Sequence, residues 1–214
     1  MTIKSRSFIA FAFAALGASL ALACGAPAAP PPQPKVDPAV TEIKAVMQNY
    51  AAAKSLRAQI SAQVARPDGT VNTIQFVYEF VPPDRYELSS NPTSSTRVVA
   101  GETFARTGTT WALQKEWSGS EYGGMNHLFD QKIMNQWNES IGKTSTVAKG
   151  ATDTLDGKQC QLYVLTDTPT GNKTDVCVAD NYPVRMVYHF GSLLTTVLLK
   201  DFNTNIVIER PNVS

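Results

Sequence analysis

Apolar residues recur along the chain with two different spacings, which predict two helices among many short strands. The first helix begins at Asp37-Pro38, a favourable N-cap followed by a proline that suits the first turn, and runs to about Ser55. The second runs from Leu128 to Ile141 and stops at Gly142. The apolar positions that carry the first helical period are Val40, Ile43, Met47 and Tyr50.

Elsewhere the apolar residues alternate with polar ones, which is typical of strands with one buried face. Turn residues such as Pro67-Asp68-Gly69 separate the runs by short links, so the strands should pair mainly antiparallel. A sheet of this size must twist and curl. The predicted strands are Ala58–Arg66, Thr70–Val81, Arg85–Ser89, Arg97–Ala100, Glu102–Arg106, Thr110–Glu116, Ser145–Ala148, Gln159–Thr166, Asp175–Ala179, Pro183–Phe190, Leu193–Phe202 and Ile206–Glu209.

These elements predict an α+β fold. We expect a strongly curved, mainly antiparallel sheet of about ten or eleven strands that forms an unclosed half-barrel. The two main helices should bury their apolar stripes on its concave side, because no other apolar surface of sufficient size is predicted.

Residues 1–23 are predicted to be a signal peptide rather than part of the fold. Lys4 and Arg6 precede an uncharged apolar run, Phe8–Ala23, that ends in small residues. That run is short for a membrane-spanning helix, which needs roughly 20 residues. An uncleaved anchor is the alternative interpretation.

Cys24 makes this signal more specific. A small residue followed by cysteine at the end of the apolar run resembles the lipobox of bacterial lipoproteins, in which the cysteine is acylated and becomes the mature N-terminus. Ala21 stands where that motif usually has leucine, and Ala21-Leu22-Ala23 also fits a cleavage site that releases a soluble exported protein. Residues 24–36 then form a lipidated cysteine and a Pro/Ala-rich tether, extended and semi-rigid, that would hold residues 37–214 away from a membrane.

Cys160 and Cys177 are the other two cysteines, and export would place them in an oxidising compartment. They flank a turn-rich segment, Thr168–Asn172, between two predicted strands. We therefore predict a disulfide that clamps this hairpin; a redox or metal role is less consistent with the absence of a C-x-x-C motif.

Composition and motifs argue against catalysis and against nucleic-acid binding. The chain has 214 residues, 43% hydrophobic and 17% charged, with a formal charge of +1 and two histidines. No catalytic, phosphate-binding or metal-binding motif is evident, so we expect no enzyme activity, no catalytic residue, no metal and no cofactor. His127 and His189 are interpreted as structural, and Asp153 and Asp156 as turn residues.

Aromatic and aliphatic residues are the conspicuous feature of the remaining sequence. An ordinary core is one interpretation, and a dry cavity for acyl chains between a curled sheet and its helices is the other. The candidate cavity residues are Phe76, Tyr78, Phe80, Tyr86, Phe104, Trp111, Leu113, Leu128, Phe129, Met134 and Trp137.

Several short motifs resemble the outer-membrane lipoprotein carrier-like fold of periplasmic lipoprotein carriers, their outer-membrane lipoprotein receptor and mycobacterial lipid-carrier lipoproteins of the LppX/LprG type. They lie at the end of the first helix, at a step between strands, and at strand starts and ends. They are Ala51–Arg57, Phe80–Tyr86, Leu155-Asp156-Gly157, Tyr182–Arg185, Asp201-Phe202-Asn203, Ile206–Ile208 and Pro211.

The resemblance implies a non-catalytic protein that holds acyl chains in a hydrophobic cavity. Cys24 brings this chain closer to the anchored members than to the soluble carriers. We expect an exported monomer that is lipid-anchored to the cell envelope through diacylglyceryl Cys24 and faces the periplasm or cell exterior. Its expected partner is a lipid or acylated ligand, and an envelope protein is a further candidate partner. The expected role is lipid or lipoprotein transport. The alternatives are a solid-core interaction module, a sensor module without bound lipid, and an unrecognised hydrolase.

Overall fold

The computed structural model describes residues 37–66, 68–114 and 131–213. Within these ranges the chain forms two helices and eleven strands. They are α1 Pro38–Ala51, β1 Leu56–Ala65, β2 Val71–Val81, β3 Arg85–Asn91, β4 Ser94–Val99, β5 Glu102–Thr107, β6 Thr110–Gln114, α2 Gln131–Ser140, β7 Ser145–Leu155, β8 Lys158–Asp167, β9 Lys173–Ala179, β10 Tyr182–Phe190 and β11 Leu193–Lys200.

All eleven described strands belong to one antiparallel sheet, in the order β6-β5-β4-β3-β2-β1-β11-β10-β9-β8-β7. The order consists of two meanders, β1 to β6 and β7 to β11, joined where β1 pairs with β11. The edge strands β6 and β7 do not pair with each other, so the curved sheet stays unclosed. The predicted antiparallel, unclosed and curved sheet is confirmed.

Tight turns explain why each strand pairs with the next one in the chain. Asp156 and Gly157 have φ angles of 50° and 78° between β7 and β8, and Asp180 and Asn181 have 52° and 62° between β9 and β10. Two residues with positive φ form the turn whose twist matches that of a hairpin. The Leu155-Asp156-Gly157 motif therefore has a direct structural role.

The strand register divides the sheet into two faces. Residues directly opposite on paired strands point to the same side. Side chains on one side form a single buried cluster with residues of α1 and α2. We call this side the inner face and the opposite side the outer face. The inner-face members of the cluster include Ala58, Ile60, Phe76, Tyr78, Leu88, Tyr163, Leu165, Val176, Met186, Tyr188, Val197 and Leu199.

Helix α1 begins as predicted, because Asp37 accepts a hydrogen bond from the Ala39 amide at 2.8 Å. Its residues Ile43 and Met47 are fully buried in the cluster. On its flank Glu42 accepts hydrogen bonds from Lys149 Nζ at 2.7 Å and from the Tyr163 hydroxyl at 2.5 Å. These contacts connect α1 to β7 and β8.

The helix ends earlier than predicted, at Ala51 instead of about Ser55. The segment after it is bound by the loop that follows β11. The Lys54 amide donates to Asn203 Oδ1 at 2.8 Å, and the Ser55 hydroxyl donates to the Thr204 carbonyl at 2.6 Å. These contacts use polar groups from a distant part of the chain, which helical periodicity does not reveal.

Ile206–Glu209 was predicted to be a strand, and this prediction is wrong. The segment lies outside the sheet, and two outer-face arginines hold its main chain. Arg85 donates to the Ile208 carbonyl at 3.0 Å, and Arg97 donates to the Glu209 carbonyl at 2.8 Å. Ile208 is only 3% exposed, so the apolar pattern reflects docking on the outer face instead of strand pairing.

Several strands extend beyond their predicted bounds, among them β4 and β7. Strand β4 begins at Ser94 instead of Arg97, and β7 continues to Leu155 instead of Ala148. In both, polar residues continue the hydrogen-bonded ladder with a neighbouring strand, so the apolar alternation underestimates their length.

The predicted disulfide between Cys160 and Cys177 is confirmed. It joins β8 to β9, with Cα atoms 5.4 Å apart and a sequence separation of 17. Both cysteines are buried.

Candidate ligand cavity

A cavity of about 470 Å³ lies between α2 and the inner face of β8, β9 and β10. Its volume falls within the range of about 300–1,000 Å³ that is typical of small-ligand pockets. The lining residues are Ile133, Met134, Gln136, Trp137 and Ser140 from α2, with Thr144, Ser145, Leu165, Asp167, Thr170, Asn172, Thr174, Tyr188 and Phe190 from the segments around it.

Three aromatic side chains form one wall of the cavity. The rings of Trp137 and Tyr188 have centroids 6.2 Å apart and are tilted by 43°. Tyr188 and Phe190 stack at 6.1 Å with an interplanar angle of 9°. Since residues two apart on a strand share a face, β10 presents both rings to α2.

The deep part of the cavity is apolar and uncharged. Met134 and Leu165 are buried, and so is Tyr188, whose hydroxyl donates to Met186 Sδ at 3.4 Å. Burial raises the pKa of Tyr188 far above its ordinary value, because the ionised phenol would lose its hydration. This side chain therefore stays neutral, and an acyl chain would meet no charge here.

Polar side chains line the end of the cavity that lies next to the β8–β9 turn. Asp167 Oδ2 accepts a hydrogen bond from the Thr170 hydroxyl at 2.5 Å and from the Thr170 amide at 3.3 Å. Thr170 and Asn172 are also part of the lining. The cavity thus combines an apolar floor with a few polar groups at the turn, the arrangement expected of a pocket for an amphiphile.

The apolar surface continues from the cavity along the inner face. Phe190 is 46% exposed and lies opposite Leu193, which in turn lies opposite Val64. Val64 and Ile74 are exposed as well. An acyl chain longer than the cavity could therefore remain on apolar side chains of the same face.

Two of the predicted cavity residues line this cavity: Met134 and Trp137. Four others, Phe76, Tyr78, Phe80 and Tyr86, lie on the inner face of β2 and β3 in or against the buried cluster. The Tyr78 ring stacks on Tyr86 at 5.5 Å. These four residues belong to the part of the inner face that packs with α1, and none of them lines the cavity described above.

Phe104, Trp111 and Leu113 were predicted to join the same cavity, but the structure does not bring them there. The β4–β5 and β5–β6 registers place them on the outer face. Phe104 is fully buried there, with the Arg210 guanidinium 5.6 Å from its ring. The predicted residues Leu128 and Phe129 lie outside the described residues.

Sequence reasoning missed Leu165, Tyr188 and Phe190 as cavity residues. Their alternation with polar residues in β8 and β10 could have found them, since Met186, Tyr188 and Phe190 share one face. His189, between Tyr188 and Phe190 in the sequence, lies on the outer face and contacts Asp175 at 3.1 Å.

The mainly apolar and aromatic lining of the cavity is suited to binding an apolar ligand. In the described part of the chain no group of three or more His, Cys, Asp or Glu side chains is placed to hold a metal ion. None of the helices described is long and apolar enough to cross a membrane.

Comparison with solved structures confirms the predicted resemblance in fold to mycobacterial lipoproteins of the LppX type. LprF from Mycobacterium bovis superposes with a TM-score of 0.56 at 10% identity, covering 81% of this chain and 96% of that one. The lipoprotein LppX from Mycobacterium tuberculosis gives a TM-score of 0.50 at 11% identity, covering 79% and 97%. At such identities the likeness concerns the fold. No protein-family model and no curated protein sequence matches the chain.

Proposed function

We propose that this protein is an envelope lipoprotein whose half-barrel domain binds a lipid or acylated ligand in the cavity between α2 and β8–β10, and that it acts in lipid or lipoprotein transport. The observation that carries the proposal is the apolar cavity of about 470 Å³ with Trp137, Tyr188 and Phe190 along one wall. No polar group beyond those at the β8–β9 turn is needed, because burial supplies the affinity.

Burial of an acyl chain can supply the binding free energy without a specific polar contact. Each buried methylene contributes about 0.8 kcal/mol, so ten methylenes contribute roughly 8 kcal/mol before the costs of ordering the chain. This magnitude is sufficient for useful affinity. It also predicts that affinity rises with acyl length until the cavity and the adjoining apolar strip of Phe190, Leu193 and Val64 are filled.

The second part of the proposal concerns the location of the protein in the cell envelope. Acylation of Cys24 would anchor the mature chain to the cell envelope, and the tether of residues 24–36 would let the domain of residues 37–214 reach a ligand beyond the membrane surface. The domain would face the periplasm or the cell exterior. It would act as a monomer without a cofactor and without enzymatic activity.

The test uses the full chain expressed in a bacterium, purified in mild detergent and examined by native mass spectrometry with lipid extraction. We expect a stoichiometric lipid bound to the protein and a mature N-terminus that carries a diacylglyceryl group on Cys24. In a Cys24→Ser variant the protein should leave the membrane fraction but keep its bound lipid. A mature chain without any bound lipid, and without a thermal shift on adding phospholipid or lipopeptide, would contradict the binding proposal.

The alternative is an interaction or sensor module. It is favoured by the packing beneath α1, where the side chains of Ile43, Met47, Met186 and Val197 are fully buried in one apolar cluster. Under this alternative, the cavity beside α2 would stay empty of lipid and a protein partner would bind elsewhere on the domain. The same mass measurement separates the two functions.

A further inference from the structure

A groove of about 550 Å³ crosses the outer face of the sheet, on the side opposite the acyl cavity. Most of its lining residues belong to this face by register, and they follow two rows across the strands. One row runs Leu198, Gln59, Val77, Ser89, and the next runs Thr196, Ser61, Gln75. The remaining lining residues are Ile60, Phe76, Ser90, Asn91, Pro92 and Arg106.

The lining of this groove is largely polar but carries almost no charge. Seven side chains carry a hydroxyl or an amide, and none carries a carboxylate. Arg106 is the only charged residue among them. Groups of this kind offer many neutral hydrogen-bond donors and acceptors around one fixed positive charge.

Three other arginines on the outer face have carboxylate partners, and a fourth, Arg85, donates to the Ile208 carbonyl. Arg57 contacts Glu79 at 2.6 Å and Asp201 at 2.5 Å. Arg97 contacts Glu87 at 2.6 Å, and Arg185 contacts Asp153 at 2.5 Å.

Arg106 differs from all of these. Within the described residues no carboxylate pairs with it, and its Nε is buried without a hydrogen-bond partner. Directly opposite on β4, the Ser95 hydroxyl is also buried and unpartnered. A buried hydrogen-bond donor without a partner costs free energy. An acceptor from a ligand that bound both the Arg106 Nε and the Ser95 hydroxyl would remove this cost.

The position of the Arg106 side chain is fixed by Trp111. The guanidinium carbon lies 5.4 Å from the centre of the indole ring, and the Arg97 guanidinium lies on the same ring at 4.6 Å. Such stacking leaves the edge of a guanidinium free for an oxyanion, the partner that its planar donors match best.

We propose that the outer groove binds a polyhydroxylated ligand that carries one oxyanion, a carboxylate or a phosphate, with Arg106 as the anion contact. The hydroxyl groups of the ligand would be recognised by the amides and hydroxyls of Gln59, Gln75 and Asn91 and their neighbours. This site is separate from the acyl cavity, and either one can exist without the other.

The test measures binding of glucuronate, glucose 6-phosphate, inorganic phosphate and methyl glucoside to the purified protein by calorimetry at low ionic strength. We expect saturable binding of a charged sugar, at least tenfold weaker binding of methyl glucoside, and a loss of at least tenfold in an Arg106→Gln variant. Arg66→Gln, which removes an exposed charge from the β1–β2 turn, is the matched control and should bind as the wild type does.

Each result decides a part of the proposal. Absence of saturable binding by any probe, or equal affinities in wild type and Arg106→Gln, would overturn it and indicate that water satisfies Arg106 and Ser95. Equal affinities for inorganic phosphate and glucose 6-phosphate would overturn the recognition of hydroxyl groups. Preference for glucuronate or for glucose 6-phosphate identifies which oxyanion the groove takes.

Discussion

Trp137 on α2 and Tyr188 on β10 face each other at the cavity, with ring centroids 6.2 Å apart. One side chain comes from the helix and the other from a strand of the second meander, so the pair joins α2 to the sheet at the cavity.

Replacing Trp137 by alanine should weaken lipid binding. A tryptophan side chain buries about 150–250 Å², so its loss removes a large part of the apolar contact with an acyl chain. We expect about a tenfold or greater increase in the dissociation constant of a fluorescent fatty-acid probe. Trp111→Ala is the control, because Trp111 lies on the outer face, and it should leave this constant unchanged. Equal effects of the two substitutions would contradict the assigned cavity.

Filling the cavity should abolish binding without unfolding the protein. Thr174 is a partly exposed cavity residue on β9, opposite Tyr188 and Leu165 on the flanking strands. A Thr174→Phe variant should therefore place its ring where the ligand lies. We expect more than a tenfold loss in probe affinity and a melting temperature within about 5 °C of the wild type. The control Thr73→Phe, at an exposed outer-face position, should bind normally.

Ile208 should contribute to stability but not to lipid binding. It is 3% exposed in the segment held by Arg85 and Arg97, whereas its neighbour Val207 is 65% exposed. Ile208→Ala should lower the free energy of unfolding by about 2 kcal/mol or more, as for other buried aliphatic truncations. Val207→Ala should change it by less than about 0.5 kcal/mol. Urea denaturation measures both, and similar values for the two would argue against docking of this segment.

Removing the disulfide should destabilise the hairpin of β8 and β9. In the chain-entropy model a cross-link that closes a loop of this size contributes about 3 kcal/mol. A Cys160→Ala/Cys177→Ala variant should show a loss of that order in denaturant unfolding. Reduction of the wild type should have the same effect, and a reduced protein as stable as the oxidised one would contradict this role.

The hydrogen bonds that Glu42 of α1 accepts from Lys149 and Tyr163 of the sheet should make the free energy of unfolding depend on pH. The hydrogen bond from Lys149, followed by that from Tyr163, lowers the pKa of Glu42 below its ordinary value of 4.5 in the folded protein. A carboxyl with a lowered pKa stabilises the fold above its unfolded pKa and loses this contribution as the pH falls through its folded pKa. Glu42→Gln should therefore be less stable than the wild type at pH 7, and the difference should shrink below about pH 4.5. A constant difference across that range would contradict the assignment.

Structural features that depend on residues close together in the chain could be predicted from the sequence, whereas features that depend on contacts between distant residues could not. Asp37 and the helical spacing behind it predicted α1, and turn residues such as Asp156-Gly157 predicted the hairpins, because these features depend on neighbours in the chain. The end of α1 at Ala51 could not be predicted, since Asn203 and Thr204 bind the residues after it.

Face assignment was the main obstacle for the candidate cavity. Strand alternation tells which residues share a face within one strand, but not which face of one strand matches which face of another. Phe104 and Phe76 are both buried aromatics in strands, yet the registers place them on opposite sides. Outer-face burial of Phe104 requires the C-terminal segment and Arg210, which the local pattern does not reveal.

Photo-crosslinking with a diazirine fatty acid, followed by mapping of the labelled peptides by mass spectrometry, tests directly whether acyl chains bind between α2 and the sheet. We expect labels to concentrate on α2 and on the inner-face residues Leu165, Tyr188 and Phe190, and we expect Trp137→Ala or Thr174→Phe to reduce them. Labelling confined to the outer face, or labelling that neither substitution changes, would contradict an acyl-binding cavity between α2 and the sheet.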